Sequence, residues 1–254
     1  MSVWGVIPAR FGSTRFPGKP LVKIQGLELI AWVIRAAKSA RLLDHVIVAT
    51  DDKRIADIAT RENAEFVMTD SSLPSGSDRI WAAVSSRQSQ GNDIVLNIQG
   101  DEPLISGGLI DKLVLPMLQD TQLDMATLAH PISSEELKSE HSVKVVLNHK
   151  SEALYFSRYA IPYSRQAAPI NSPISGALKH IGMYAYRAQF LQKYCNHGTT
   201  EIENAEALEQ LRALYLGATI KVIQTEQRSW GVDTPEDVLK IENLLQTQNG
   251  GTHG

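Results

Sequence analysis

The chain has 254 residues, a formal net charge of −3, 43% hydrophobic and 21% charged residues. That balance suits a soluble protein with a large core and argues against nucleic-acid binding, because no basic half or tail stands out. A single cysteine, Cys195, excludes an intramolecular disulfide framework and a cysteine zinc cluster, which makes a reducing, cytoplasmic compartment the expectation.

Val3 to Ile7 reads as a buried strand, after which Leu29, Ile30, Val33, Ile34 and Ala37 recur at helical spacing. His45 to Thr50 is the next strand, and Asp51-Asp52 opens the following helix as an N-cap does. Glu65 to Met68 is a third strand, Ser77-Asp78 starts another helix, and Ile94 to Ile98 is a strand too apolar to be half-exposed. This rhythm predicts an α/β fold with a mostly parallel sheet flanked by helices. Met125 to Ala129, Lys144 to Leu147, Ala153 to Ser157 and Ile181 to Tyr186 then come as strands with fewer helices between them, which predicts a mixed-sheet lobe. Gln166 to Gly176 reads as a mobile loop. A long helix over Glu201 to Tyr215 is stopped by Gly217, Ile220 to Gln224 is a late strand, and a last helix begins near Pro235. No internal repeat is present, so one domain over residues 1–246 is expected, with a flexible tail at 247–254. No run approaches the ~20 apolar residues of a membrane span, and no signal-peptide pattern opens the chain, so membrane insertion is not expected.

Three stretches carry candidate chemistry. "PARFGSTRFPGKP", Pro8 to Pro20, places Arg10, Arg15 and Lys19 in a turn-rich loop after the first strand. Ligands of open α/β sheets sit beyond the carboxyl ends of strands, and Gly12, Ser13 and Thr14 let backbone N–H groups approach an anion. Pro17-Gly18 is turn chemistry that swings Lys19 back toward the same point. The spacing is neither GxGxxG nor GxxxxGK[ST], and on composition alone a solvated basic turn stands equally well. "NIQGDEP", Asn97 to Pro103, puts Asp101 and Glu102 at the end of the most apolar strand, where hard oxygen ligands suit Mg²⁺ and an ordinary turn is the competing reading. In "GVDTPED", Asp233 to Glu236 is an ordinary helix start, and Asp233 gains a metal role only if the fold brings it to Asp101.

These residues belong to a longer ordered series: "IPARFGSTRFPGKPL", "VATDD", "SGSDR", "NIQGDEP", "ALYFSR", "HIGMYAYR", "LEQLR" and "GVDTPED". In that series the chain resembles the 3-deoxy-manno-octulosonate cytidylyltransferases (CMP-Kdo synthetases) from residue 3 to about residue 240. The resemblance implies a Rossmann-like nucleotide-diphospho-sugar transferase fold with a sugar-binding and dimerisation lobe. It also implies a homodimer that activates an acidic octulosonate with CTP and Mg²⁺ for lipopolysaccharide biosynthesis. By position, Arg10 and Lys19 would hold the CTP phosphates, and Asp101 and Asp233 would bind Mg²⁺; these four would carry catalysis. Pro8, Ala9, Ser13, Ser75, Gly76, Arg79 and Gln99 would complete the nucleotide site. Gln99 again, with Arg158, His180, Tyr184, Glu209 and Gln210, would line the sugar pocket.

Departures from the family pattern include Leu27-Glu28-Leu29-Ile30 after Ile24-Gln25-Gly26 and Ser75-Gly76-Ser77 for a usual SGT, while others fall near the sugar lobe. Ile161-Pro162-Tyr163-Ser164-Arg165 replaces a usual IPWDR or IPYPR, and Met183-Tyr184-Ala185-Tyr186-Arg187 replaces IYGYR. The acceptor stays open between the octulosonate and its 8-amino-3,8-dideoxy analogue. Cytidylyltransferases for other sugar acids such as sialic acid, and nucleotide-sugar glycosyltransferases of similar fold, are the rival readings.

Overall fold

The computed structural model describes residues 1–12, 16–163, 165 and 176–250. The chain divides into two units. An N-terminal unit comprises Ser2–Ser89, Asn97–Asp111 and Ser229–Gly254; a central unit comprises Gln90–Leu96 and Lys112–Arg228 with Met1.

In the N-terminal unit, β1 (Val3–Ala9) is buried at every residue but Pro8, as a strand covered on both faces must be. A short hairpin, β2 (Lys23–Ile24) and β3 (Leu27–Glu28), leads into α1 (Leu29–Lys38). The apolar stripe read from the sequence is the face α1 buries. β4 (His45–Thr50) pairs parallel with β1, Ala9 opposite Thr50. After α2 (Lys53–Arg61), β5 (Glu65–Met68) pairs parallel with β4, Met68 opposite Thr50. The three strands therefore end level, and the segments after Ala9, Thr50 and Met68 leave one sheet edge together. α3 (Gly76–Ser86) starts ahead of Ser77-Asp78 because Ser75 is its cap: the Ser75 hydroxyl accepts from Asp78 N–H and donates to the Asp78 carboxylate at 2.5 Å.

The central unit is mixed. Its strands are β6 (Ile94–Asn97), β7 (Met125–Pro131), β8 (Lys144–Leu147), β9 (Ala153–Ser157), β10 (Ala177–Arg187) and β11 (Ile220–Gln224). The order runs β11-β7-β10-β6, with β8 and β9 added beside β10. β10 is antiparallel to β7 and β8, whereas β11 is parallel to β7. The parallel N-terminal strands and this mixed set agree with the fold class read from the sequence.

Three helices escaped the periodicity. α4 (Gly107–Gln119) opens on two glycines and carries Pro116 inside it. α5 (Ser134–Lys138) is one short turn held by a Ser133/Glu136 capping box, and α6 (Ala188–His197) buries Ala188, Phe190, Leu191 and Tyr194 opposite a polar face. The single helix expected over Glu201 to Tyr215 is two: α7 (Glu201–Glu206) and α8 (Gln210–Tyr215). Ala207 turns left-handed at φ 50°, and Arg158 takes the carbonyls of Glu206 and Ala207 that a continuing helix would have used. The last helix, α9 (Pro235–Gly250), returns to the N-terminal unit, where Ile241 packs with Ile24, Leu29 and Val232. It runs past Thr247 to Gly250; residues 251–254 lie outside the described residues, as does the expected loop from Gln166 to Gly176 except for Gly176 itself. No helix among the described residues is long and apolar enough to cross a membrane.

Candidate active site

At the carboxyl edge of β1 the N-terminal unit holds a cavity of about 280 Å³. Pro8, Ala9 and Arg10 enter it from the end of β1, and Ser75, Gly76 and Arg79 from the start of α3. Lys19, Gln99, Asp101 and Asp233 complete the set. Every nucleotide and metal residue read from the sequence therefore shares one cavity, except Ser13, which with Arg15 lies outside the described residues.

The backbone explains the convergence. Gly18, at φ 72°, donates its N–H to Phe11 O (2.9 Å) and closes the loop, so that Lys19 opens a 3₁₀ turn beside Arg10. Ile98 N–H bonds to Val6 O, and a Cβ on Gly100 would lie 2.8 Å from Pro8 O, so only glycine lets this segment run so close to β1. Val232, wholly buried, donates its N–H to Asp101 O (2.9 Å) and brings Asp233 alongside. Lys19 Nζ then lies 2.6 Å from Asp101 Oδ2 and 3.4 Å from Asp233 Oδ1. The condition set by the sequence, that Asp233 must reach Asp101, is met.

Two carboxylates sharing one cation are a donor set that fits Mg²⁺, which binds one or two carboxylates and takes its remaining oxygens from phosphate and water. Among the described residues no cluster of three or more His, Cys, Asp or Glu side chains offers a closed metal cage. Arg79 is almost wholly buried; burial lowers its pKa while Asp51, 3.4 Å from the guanidinium, opposes that. The sequence reading missed Leu73 and Pro74, the apolar wall of the cavity. Two residues before a serine cap carry no periodic signal.

In the central unit, β10 bulges against β7 between Ile181 and Tyr184. The Thr127 hydroxyl fills the bulge, 2.8 Å from Met183 O and 3.2 Å from Ile181 O. Carbonyls only accept, so the hydroxyl proton goes to them and His180 Nε2–H must donate to Thr127 Oγ1 (2.9 Å). That leaves Nδ1 of His180 as an acceptor. Burial lowers the His180 pKa to about 3, so the ring is neutral at ordinary pH. Tyr184 follows at 5.4 Å between ring centroids, its hydroxyl pKa pushed far up by burial and then by Glu209. The buried Gln210 Nε2 has no hydrogen-bond partner among the described residues. Glu209 O accepts from Tyr194 OH (2.8 Å), and Arg212 pairs with buried Glu203 at 2.5 and 2.8 Å, which fixes the turn carrying Glu209 and Gln210. Arg158 differs from a plain open guanidinium: Nε, Nη1 and Nη2 donate to the carbonyls of Glu206, Glu140 and Ala207.

The cytidylyltransferase family model matches residues 4–221. A 3-deoxy-manno-octulosonate cytidylyltransferase of Bdellovibrio bacteriovorus is 57% identical over 98% of this chain and 99% of its own length. That of Syntrophotalea carbinolica is 42% identical over 97% and 99%. Among solved structures, a CMP:2-keto-3-deoxy-manno-octonic acid synthetase complexed with CTP superposes with a TM-score of 0.89 at 38% identity, covering 98% of this chain and all of that one. A cytidylyltransferase from Leptospira borgpetersenii has a TM-score of 0.65 at 16% identity, covering 97% and 87%, and shares the fold. By family model, sequence identity and fold together, the chain belongs to the cytidylyltransferase family, among the 3-deoxy-manno-octulosonate cytidylyltransferases.

Proposed function

We propose that the chain transfers CMP from CTP to the anomeric hydroxyl of 3-deoxy-manno-octulosonate and releases pyrophosphate. The observation that carries this reading is the convergence of Asp101 and Asp233 on Lys19 inside a cavity walled by the nucleotide residues. Support comes from the octulosonate cytidylyltransferases to which the chain is similar along nearly its whole length.

In this reading residues 1–246 work as one nucleotidyltransferase. Arg10 and Lys19 bind the triphosphate, and the nucleoside lies against Pro8, Ala9, Ser75, Gly76, Arg79 and Gln99. Asp101 and Asp233 would hold Mg²⁺, which when bound would neutralise charge on the triphosphate and lower the pKa of the attacking hydroxyl. Lys19, beside both carboxylates, is within reach of the same phosphates. The attack is in line at the α-phosphorus, so the side chains act by positioning and by meeting charge that grows on the leaving oxygens. Neutral His180 accepts from a sugar hydroxyl at Nδ1, and Tyr184, Glu209 and Gln210 bind other hydroxyls, the Gln210 amide finding the acceptor it lacks among the described residues. Arg158 meets the sugar carboxylate through the N–H groups that its three carbonyl partners leave. A homodimer acting in the cytoplasm and feeding lipopolysaccharide assembly completes the proposal.

The test is pyrophosphate release from CTP and Mg²⁺ against 3-deoxy-manno-octulosonate, its 8-amino analogue and sialic acid. Release with the octulosonate is expected. Release with sialic acid alone, or with none of the three, contradicts the proposal; release with the amino sugar alone moves the acceptor and keeps the chemistry.

A further inference from the structure

The sequence motif "VATDD" has so far supplied only a strand end and a helix cap. Its first aspartate, Asp51, stands where three strand ends leave the sheet together. One carboxylate oxygen accepts the backbone N–H of Phe11 at 3.1 Å. The other lies 3.4 Å from Nη2 of Arg79. Nη1 of Arg79 donates to the Thr69 hydroxyl, just beyond β5. Asp51 itself does not line the cavity, yet one of its partners, Arg79, does, and the other, Phe11, directly follows Arg10, which also lines it.

Phe11 is held from three further directions. Its carbonyl accepts Gly18 N–H at 2.9 Å, which ties the two ends of the basic loop. Its ring packs against Gly18, where a Cβ would come within 3.0 Å of it. Over the ring, 4.0 Å from its centroid, lies the guanidinium of Arg54, itself held by two bonds to Asp52 at 2.9 and 2.6 Å. The second aspartate of the motif thus serves the same anchor as the first. A turn that only had to connect β4 to α2 would need the Asp52 cap and nothing from Asp51.

We propose that Asp51 is a positioning residue for nucleotide binding: its two oxygens hold the phosphate loop, through Phe11, and the base-side Arg79 at a fixed separation. This rests on the function proposed above. The contact to Arg79 is between opposite charges and largely out of solvent, at 3.4 Å against 3.1 Å for the bond to Phe11. The bond to Phe11 fixes the direction in which Arg10 leaves β1. Loss of either lets one wall of the cavity move against the other without removing any group that touches the ligand.

Calorimetry of CTP binding in Mg²⁺, on the full chain, reads the effect directly. Asp51→Asn keeps an acceptor for Phe11 N–H and loses the charge facing Arg79; a rise in Kd of about tenfold is expected. Asp51→Ala loses both bonds and binds more weakly still. Stoichiometry separates positioning from damage: a misfolding variant binds fewer equivalents at an unchanged Kd, whereas a positioning variant binds one equivalent more weakly. Asp51→Asn with Kd within twofold of wild type, or with only its stoichiometry reduced, overturns the inference. If Asp51→Asn does not melt cooperatively, Arg54→Ala decides, since it removes an exposed side chain that lies over Phe11 and pairs with Asp52 but touches no wall of the cavity. It is expected to weaken CTP about two- to fivefold, and an unchanged Kd overturns the inference. Wild-type chain that binds no CTP would sink the proposed function itself, and Asp51 with it; a wild type that binds and an Asp51→Asn that binds equally sinks this inference alone.

Discussion

Asp101 and Asp233 meet at one positive charge. Each carboxylate reaches the same Lys19 ammonium, at 2.6 and 3.4 Å, because buried Val232 hangs its N–H on the carbonyl of Asp101. A cation held by both carboxylates offsets their mutual repulsion. In this chain that cation is Lys19, and the same two carboxylates would hold Mg²⁺ if it is bound.

Replacing either carboxylate by its amide tests this pairing. Asp101→Asn and Asp233→Asn are each expected to lower kcat/KM by about a hundredfold or more, with far-UV circular dichroism and melting temperature close to wild type. Chelation of divalent ions should abolish turnover in wild type and Mg²⁺ should restore it. Wild-type turnover in either amide variant would remove that residue from the metal site.

His180 sets a pH dependence of stability. Its pKa falls from 6.5 to about 3 on folding because the ring is buried. Between those values the unfolded chain binds the proton and the folded chain does not, so stability is complete above about 6.5 and is lost as pH falls toward 3. The slope from this residue approaches about 1.4 kcal/mol per pH unit inside the window. His180→Gln keeps an N–H toward Thr127 and cannot titrate, and its acid limb should be shallower by up to one proton. Denaturant midpoints measured from pH 7 to pH 4 check this; parallel limbs would contradict it.

The turn carrying Glu209 and Gln210 rests on a buried ion pair. Arg212 spans both oxygens of Glu203, which also closes the capping box with Thr200 at the start of α7. Arg212→Met leaves a buried carboxylate unpaired and should cost about 3–5 kcal/mol, whereas Arg212→Met with Glu203→Met should recover most of it. Chemical denaturation of the two variants gives the comparison. An equal loss in both would mean that the charges are not coupled.

How far the sequence foretold these features follows from range. β1, β4 and β5 are short and rich in apolar or β-branched residues, and their strand signal is entirely local. Asp51-Asp52 and Pro235 marked helix starts through chemistry confined to one turn. What the sequence could not show was action at a distance. Arg158 ends α7 by taking its carbonyls from outside the helix, so the 3.6-residue pattern ran on through Ala207 as though nothing intervened. The meeting of Asp101 with Asp233 depends on a backbone bond across the unit, and only the ordered motifs of a family pointed to it. Asp51 was visible as part of a motif but silent about its partners, since neither Phe11 nor Arg79 neighbours it in sequence.

The most direct measurement follows the α-phosphorus. CTP labelled at that position, incubated with the chain, Mg²⁺ and 3-deoxy-manno-octulosonate, should place the label in a phosphodiester to the sugar, with one equivalent of unlabelled pyrophosphate released for each. Label recovered only in CTP, or in free CMP formed equally without the sugar, would contradict transfer from CTP to the octulosonate.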